Sequence, residues 1–166
     1  MNGHLTDHYN PTEHTVNLSR DVYSSCSVAA AAVAAHECGH AVQHAKAYGP
    51  LKMRSSLVPV VSFASKYVSW ILLIGIMCIQ SFPGILLFGI GLFAMSTLFS
   101  FVTLPVEINA SQRALRWLSS AGITTRYNHG EAESALRSAA YTYVVAALSS
   151  LATLVYYVMI YLGRRD

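Results

Sequence analysis

The chain has 166 residues, of which 54% are hydrophobic and only 11% are charged, and its mean hydropathy is +0.42. Soluble domains carry about 25% charged residues, so this composition excludes an ordinary soluble domain and indicates a membrane protein. The formal net charge is only +3 and the basic residues are scattered without interleaved aromatic residues, so a nucleic-acid partner is excluded too.

The first 26 residues are polar and lack the apolar core of a cleaved secretory signal. Asn10 and Pro11 together indicate a turn. Only residues 15–18 alternate in the manner of a strand. The sequence therefore predicts at most one short strand, and membrane insertion must rely on internal segments.

The sequence HECGH at positions 36–40 matches the HExxH motif of zinc proteases. Residues four apart lie on one face of a helix, so His36 and His40 can direct their imidazoles at one metal ion while Glu37 flanks it. This spacing predicts two metal ligands and a catalytic glutamate. The alternative is a pair of buried histidines on a helix face that bind no metal.

The flanking sequence favours a helix over about 28–46. Ser27 fits an N-cap, the following residues are rich in alanine, and Gly49 with Pro50 is expected to end the helix. His44 lies eight residues after the first motif histidine, which rotates it about 80° from the metal face at 100° per residue. We therefore predict that His44 borders the site without binding the metal, either in contact with the ligands or in the wall of the cleft.

The third ligand must come from another part of the chain. A metzincin would have Gly at position 43 and His at position 46, where this chain has Gln43 and Lys46. Cys38 is a conceivable soft ligand, but its helix position turns it away from the two histidines, so a packing role is preferred.

No residue between Lys66 and Glu107 is charged, a run too long for a soluble core helix. A break at 80–84 separates two segments, 57–79, which includes Lys66, and 83–104, each about 33 Å long at 1.5 Å per residue. These lengths predict a transmembrane hairpin.

Positive charges flank the predicted hairpin on both sides, whereas its turn carries none. Because cytoplasmic loops hold the excess of lysine and arginine, both flanks and the metal motif are predicted to face the cytoplasm. Two arginines near the C-terminus oppose this orientation but are outnumbered. The supporting residues are Arg20, Lys46, Lys52, Arg54, Arg113, Arg116, Arg126 and Arg137, and the opposing ones are Arg164 and Arg165.

Residues 105–122 are predicted to form a separate helix that begins with Pro105 in its first turn. A catalytic zinc takes two histidines, a carboxylate and an open position, so Glu107 is the best candidate for the third ligand. The alternative is an acid that only stabilises a helix N-terminus. Asn109 and Ser111 follow and are candidates to orient the ligands by hydrogen bonds.

Two further acids, Glu131 and Glu133, compete with this assignment. Glu133 is spaced for a surface ion pair with Arg137, and both acids open the next helix, so a structural role is preferred.

The chain thus divides into four segments, and the predicted fold is a mainly α, helical integral membrane protein. It has a zincin-like HExxH helix, a transmembrane hairpin, one further span and at most one short strand. The segments are 1–56 with the motif helix, 57–104 with the hairpin, 105–137 with the third-ligand helix and a loop, and 138–166 with a C-terminal transmembrane helix.

Several motifs together resemble the membrane-bound neutral zinc metallopeptidases of bacteria, the YugP-like family, a gluzincin group. The resemblance covers nearly all of the chain, and its last two motifs are specific in combination. The motifs are HLTDHYNP at 4–11, VNLS at 16–19, AVQHA at 41–45, YGPL at 48–51 and LPVE at 104–107.

The resemblance implies that His36, His40 and Glu107 bind zinc and that Glu37 is the catalytic acid and base. The HtpX-type and prenyl-protein (CaaX) proteases share the order of HExxH motif, membrane hairpin and glutamate. They carry an aspartate four residues after the ligand glutamate, where this chain has Ser111. The closer resemblance is therefore to the first family.

The chain also departs from the pattern expected of this family. Asn10 and Asn109 stand where aspartates are expected in relatives. Relatives are also expected to have a membrane helix and further chain upstream, so this sequence corresponds to a family member without that N-terminal segment.

The sequence therefore predicts a zinc-dependent endopeptidase embedded in the bacterial cell membrane, with Zn²⁺ as cofactor and the site on the cytoplasmic side. It would hydrolyse peptide bonds of a protein or peptide substrate with a zinc-activated water. The alternative is a non-catalytic membrane protein, either a pseudoprotease or a zinc-stabilised scaffold, or a truncated gene product, because zinc sites can be structural. The substrate's identity and the oligomeric state stay open.

Overall fold

The structure, a computed structural model, describes residues 6–163. The described elements are β1 (His8–Asn10), β2 (Thr15–Asn17), α1 (Arg20–Ser24), α2 (Val28–Ala45), α3 (Gly49–Met77), α4 (Pro83–Ser120) and α5 (His129–Gly163). The prediction of a mainly α fold is confirmed. The first two residues of the motif at 4–11, and the two arginines that oppose the predicted orientation, lie outside the described residues.

The described part of the chain contains two short strands, so the expectation of at most one strand is corrected. β1 pairs with β2 in antiparallel register, with Tyr9 opposite Val16. Asn10 Oδ1 accepts hydrogen bonds from the backbone N–H groups of Thr12 and Glu13, which turns the chain back on itself. A lone strand leaves its backbone groups unpaired, and this turn supplies the partner that the residue pattern alone did not reveal.

Helix α2 begins where the sequence predicts. Ser27 is its N-cap, and the Ser27 hydroxyl accepts a hydrogen bond from the backbone N–H of Ala30 at 3.2 Å. The helix ends at Ala45, before the predicted stop at Gly49 and Pro50. Instead, these two residues are the first two of α3. A proline is tolerated there because the backbone N–H that it lacks would have no hydrogen-bond partner within the helix.

Helix α4 runs without interruption through Pro105, so the prediction of a separate helix starting there is wrong. An internal proline removes one backbone hydrogen bond, but the residues after it continue a buried stripe at four-residue spacing. This stripe consists of Val106, Ala110, Ala114 and Leu118. The packing of the stripe stabilises the helix beyond the proline.

One compact unit comprises residues 6–52 and 104–142. Its core forms where α2 packs against the second half of α4 and the start of α5. Most of the side chains in this core are alanines, and such small side chains let helix backbones approach closely. The core residues are Ala32, Ala35, Ala114, Leu118, Ala132 and Leu136.

The other compact unit comprises residues 53–103 and 143–163. Its core is formed by Val68, Leu72, Leu86 and Ile90. A Cβ atom added to Gly75 would lie 2.6 Å from the Cα atom of Leu86, so α3 and α4 are in near-backbone contact there.

Three helices, α3, α4 and α5, are long and apolar enough to cross a membrane. Much of their apolar surface points outward, as at Trp70, Phe88 and Leu148. The break between α3 and α4 falls at residues 78–82, close to the predicted break. The transmembrane hairpin and the four-segment division stay predictions.

Candidate metal site

The two motif histidines and Glu107 come together in the structure. Nε2 of His36 lies 3.1 Å from Oε2 of Glu107, Nε2 of His40 lies 3.5 Å from the same oxygen, and the two Nε2 atoms are 3.1 Å apart. Among residues 6–163, this is the one group of three or more His, Cys, Asp or Glu side chains whose ligand atoms converge in this way.

The spacing of these three atoms fits a tetrahedral zinc site. Zinc holds nitrogen and carboxylate oxygen at about 2.0–2.2 Å, which places neighbouring ligand atoms of a tetrahedral site about 3.3–3.6 Å apart. Of the observed separations, the one of 3.5 Å lies within that range and the two of 3.1 Å lie slightly below it. Three protein ligands leave the fourth position of a catalytic zinc open.

The donors are mostly buried but can be reached from outside. The side chain of Glu107 is 3% exposed, whereas those of His36 and His40 keep 15% and 12% of their surface. The candidate site thus combines a buried carboxylate with two imidazoles that stay partly exposed.

Electrostatics within this cluster favour an ionised carboxylate. Burial alone would raise the pKa of Glu107, but hydrogen bonds from His36 and His40 outweigh it and lower the pKa to about 2. Burial alone would lower the pKa of His40, but the hydrogen bond and the charge of Glu107 raise it. Both groups lie outside the predicted spans. The carboxylate thus attracts positive charge to the site, whether protons or a metal ion.

Each histidine also has a hydrogen-bond partner at Nδ1, its second ring nitrogen. The Ser111 hydroxyl lies 3.1 Å from Nδ1 of His36, and Oε1 of Gln43 lies 3.0 Å from Nδ1 of His40. With both Nδ1 atoms engaged, the Nε2 atoms are left to face the carboxylate. Ser111 is therefore in contact with a candidate ligand, and its role in orienting that ligand stays a prediction.

Glu37 is buried, at 8% exposure, and follows His36 directly on α2. Its charge contributes to raising the pKa of His40, so its carboxylate lies within electrostatic reach of the candidate ligands.

Partial burial, and then the Glu37 charge, raise the pKa of the neighbouring Cys38 thiol, although Cys38 remains exposed. A thiol that resists ionisation is a poor zinc ligand. Because the Cys38 side chain is exposed, the structure gives no support to the packing role preferred from the sequence.

The other two predicted partners, Asn109 and His44, make different contacts. Asn109 Oδ1 accepts hydrogen bonds from Nε2 of Gln43 at 3.1 Å and from Nε of Arg113 at 2.8 Å. It therefore reaches His40 only through Gln43. His44 Nδ1 instead lies 2.9 Å from the Tyr9 hydroxyl on β1. His44 thus links the β-hairpin to α2.

The competing acids lie elsewhere on the surface. Glu131 and Glu133 are exposed near the start of α5, and neither belongs to the group of converging ligand atoms. Arg137, predicted to pair with Glu133, donates its Nε–H to the Tyr141 hydroxyl at 3.1 Å.

Two residues at this site were not predicted to have a role there. Gly39 lies where α2 meets α4, and a Cβ atom at this position would come within 2.7 Å of the Ala110 carbonyl oxygen. Gln43 is fully buried and contacts His40. The available signal was spacing, because a residue three positions after a helical ligand lies on the same face.

Comparisons with known proteins show the family of this chain. The chain belongs to the family described as "Putative neutral zinc metallopeptidase", whose model matches residues 1–162. It is similar to a curated protein of Bacillus subtilis (strain 168), "Putative membrane protease YugP". The two are 46% identical over 166 residues, which is 100% of this chain and 73% of the relative. No solved structure matches the chain at a significant level. The family resemblance is thereby confirmed.

Proposed function

We propose that this chain is a membrane-embedded zinc endopeptidase of the gluzincin type, with Zn²⁺ held by His36, His40 and Glu107. The observation that carries the proposal is the convergence of two Nε2 atoms and one carboxylate oxygen at 3.1–3.5 Å. Membership of a family described as zinc metallopeptidases supports it.

The proposed reaction needs a general base beside the metal, and Glu37, which is buried and directly follows His36 on α2, is the proposed base. Zinc held at this site would supply a Lewis acid that lowers the pKa of a water molecule and polarises the substrate carbonyl. Glu37 accepts the proton of the attacking water and returns it to the leaving amine. Its partial burial keeps competing solvent away from this proton transfer.

The remaining residues hold the ligands in place. The Glu107 carboxylate offsets part of the metal charge, and Ser111 and Gln43 fix the orientations of the two imidazole rings. His36 and His40 stay partly exposed, and the proposed substrate carbonyl approaches the site from their exposed edges.

We further propose that the site lies close to the bilayer surface. Glu107 follows the predicted span 83–104 by three residues, a rise of about 4.5 Å along one continuous helix. The excess of basic residues flanking the predicted hairpin supports a cytoplasmic site in a bacterial cell membrane. A protein or peptide near the membrane surface is the proposed substrate.

The test compares the purified full chain in detergent with Glu37→Gln and with the exposed control Glu131→Gln. We expect one zinc per chain in all three proteins, and cleavage of casein by the wild type and the control only. A wild type without stoichiometric zinc overturns the proposal. Stoichiometric zinc with equal cleavage by wild type and Glu37→Gln supports the zinc-stabilised scaffold instead.

A further inference from the structure

Gln43 is a fully buried polar side chain at the contact between α2 and α4. Its Oε1 lies 3.0 Å from Nδ1 of His40, and its Nε2 donates to the Val106 carbonyl at 2.7 Å and to Asn109 Oδ1 at 3.1 Å. Every polar atom of this amide thus has a partner, as burial requires.

The donor and the acceptor of each hydrogen bond can be assigned by starting at the Arg113 guanidinium. A guanidinium only donates, so the Asn109 atom that faces Arg113 Nε at 2.8 Å is the amide oxygen. The Gln43 atom that faces this oxygen, and also the Val106 carbonyl oxygen, must therefore be its NH₂ group. The other end of Gln43 is then an oxygen, and it can only accept a hydrogen bond.

From this chain of contacts we infer that Gln43, held in place by Asn109 and Arg113, is a positioning residue for His40. Because Gln43 Oε1 only accepts, Nδ1 of His40 carries a hydrogen, and Nε2 is therefore the ring nitrogen that would bind the metal. We call this set of four residues the Arg113 relay; it consists of Arg113, Asn109, Gln43 and His40. The inference rests on the proposed zinc site.

The Arg113 relay also couples two ligands from different helices. Val106, whose carbonyl accepts from Gln43, directly precedes Glu107 on α4. One side chain therefore orients His40 on α2 and fixes the backbone that carries the carboxylate. The Ser111 hydroxyl beside His36 can donate or accept, so it does not select a ring form in the same way.

The test measures metal binding, not proteolysis. Gln43→Met keeps the length of the side chain and removes all three hydrogen bonds, and Arg113→Met removes the donor that fixes Asn109. The matched controls are Gln112→Met and Arg116→Met, which alter exposed side chains on α4. Apparent Zn²⁺ affinity is measured by chelator competition, and the visible spectrum of the Co²⁺-loaded protein reports the geometry of the ligands.

We expect Gln43→Met to weaken zinc binding by about 10–100-fold, the usual effect of losing an outer partner of a histidine ligand. Arg113→Met should weaken it by about threefold or more, since Asn109 and Val106 still contact Gln43. Both variants should alter the Co²⁺ spectrum, which a general loss of packing elsewhere would leave unchanged. The two controls should match the wild type in both measurements.

Wild-type affinity and an unchanged Co²⁺ spectrum in Gln43→Met overturn the inference while the zinc site stands. If Gln43→Met does not fold, Arg113→Met is the deciding variant. The inference is overturned if Arg113→Met and its control Arg116→Met have the same zinc affinity and the same Co²⁺ spectrum. A wild type that binds neither metal overturns both this inference and the proposed function. A wild type that binds zinc but cleaves nothing overturns the peptidase proposal. The inference about the Arg113 relay is then decided by the metal affinities and Co²⁺ spectra of the variants.

Discussion

Nε2 of His36 lies 3.1 Å from Oε2 of Glu107, although 71 positions separate the two residues in the sequence. The whole of α3 lies between them along the chain. The two side chains meet because α2 and α4 pack closely enough for a Cβ atom at Gly39 to touch the Ala110 carbonyl oxygen. The candidate metal site therefore depends on a helix–helix contact as much as on the motif.

Replacing the carboxylate of Glu107 should nearly abolish zinc binding. Glu107→Gln keeps the side-chain volume but removes the negative charge and a ligand oxygen, so affinity should fall by more than the ~100-fold seen when an outer partner is lost. Chelator competition on the purified chain measures this. Glu131→Gln, on an exposed acid of α5, should bind zinc like the wild type, and equal losses in the two variants would refute the assignment.

Removing the hydroxyl of Ser111 should weaken zinc binding without abolishing it. Ser111→Ala deletes the partner of His36 Nδ1, so we expect an affinity loss of about tenfold. Ser119→Ala is the matched control, because Ser119 is exposed near the end of the same helix. Isothermal titration with Zn²⁺ distinguishes the two, and an unaffected Ser111→Ala would show that His36 needs no such partner.

A methyl group at Gly39 should separate α2 from α4. The Cβ atom would lie 2.7 Å from a backbone oxygen that cannot move aside, so Gly39→Ala should destabilise the protein by about 1–3 kcal/mol and also weaken zinc binding. Thermal unfolding in detergent gives the first effect. Gly130→Ala meets no atom within 4 Å and should unfold at or slightly above the wild-type temperature.

The same argument applies to the contact between α3 and α4 at Gly75. Gly75→Ala would bring a Cβ atom within 2.6 Å of Leu86 Cα, so this variant should lose about 1–3 kcal/mol of stability. Its zinc affinity should change little, because the metal site belongs to the other compact unit. Gly91→Ala, inside α4 with no neighbour within 4 Å, is the control, and a Gly75→Ala protein as stable as this control would contradict the close packing.

Features set by local sequence were predictable. Ser27 caps α2 because a serine hydroxyl accepts from a free N–H at a helix start, wherever the helix lies. The spacing of His36 and His40 places both on one helix face for the same local reason. The three long apolar helices follow from uncharged runs that no short soluble helix could accommodate.

Features set by packing were not predictable in this way. Pro105 carries the local signal of a helix start, yet α4 continues through it because the buried stripe beyond the proline offsets one missing hydrogen bond. β1 has no alternating pattern and exists because the turn at Asn10 brings it against β2.

The sequence by itself determined the chemical groups of this protein, namely a helix that presents two imidazoles and a glutamate, apolar segments of membrane-spanning length, and a carboxylate just beyond the predicted span 83–104. Only the tertiary structure decided which residues hold those groups in place. It brought Gln43 between His40 and the backbone beside Glu107, and it directed His44 to Tyr9 instead. The physical reason is that a hydrogen-bond partner is chosen by the approach of two helices, and that approach depends on side chains far apart in the sequence.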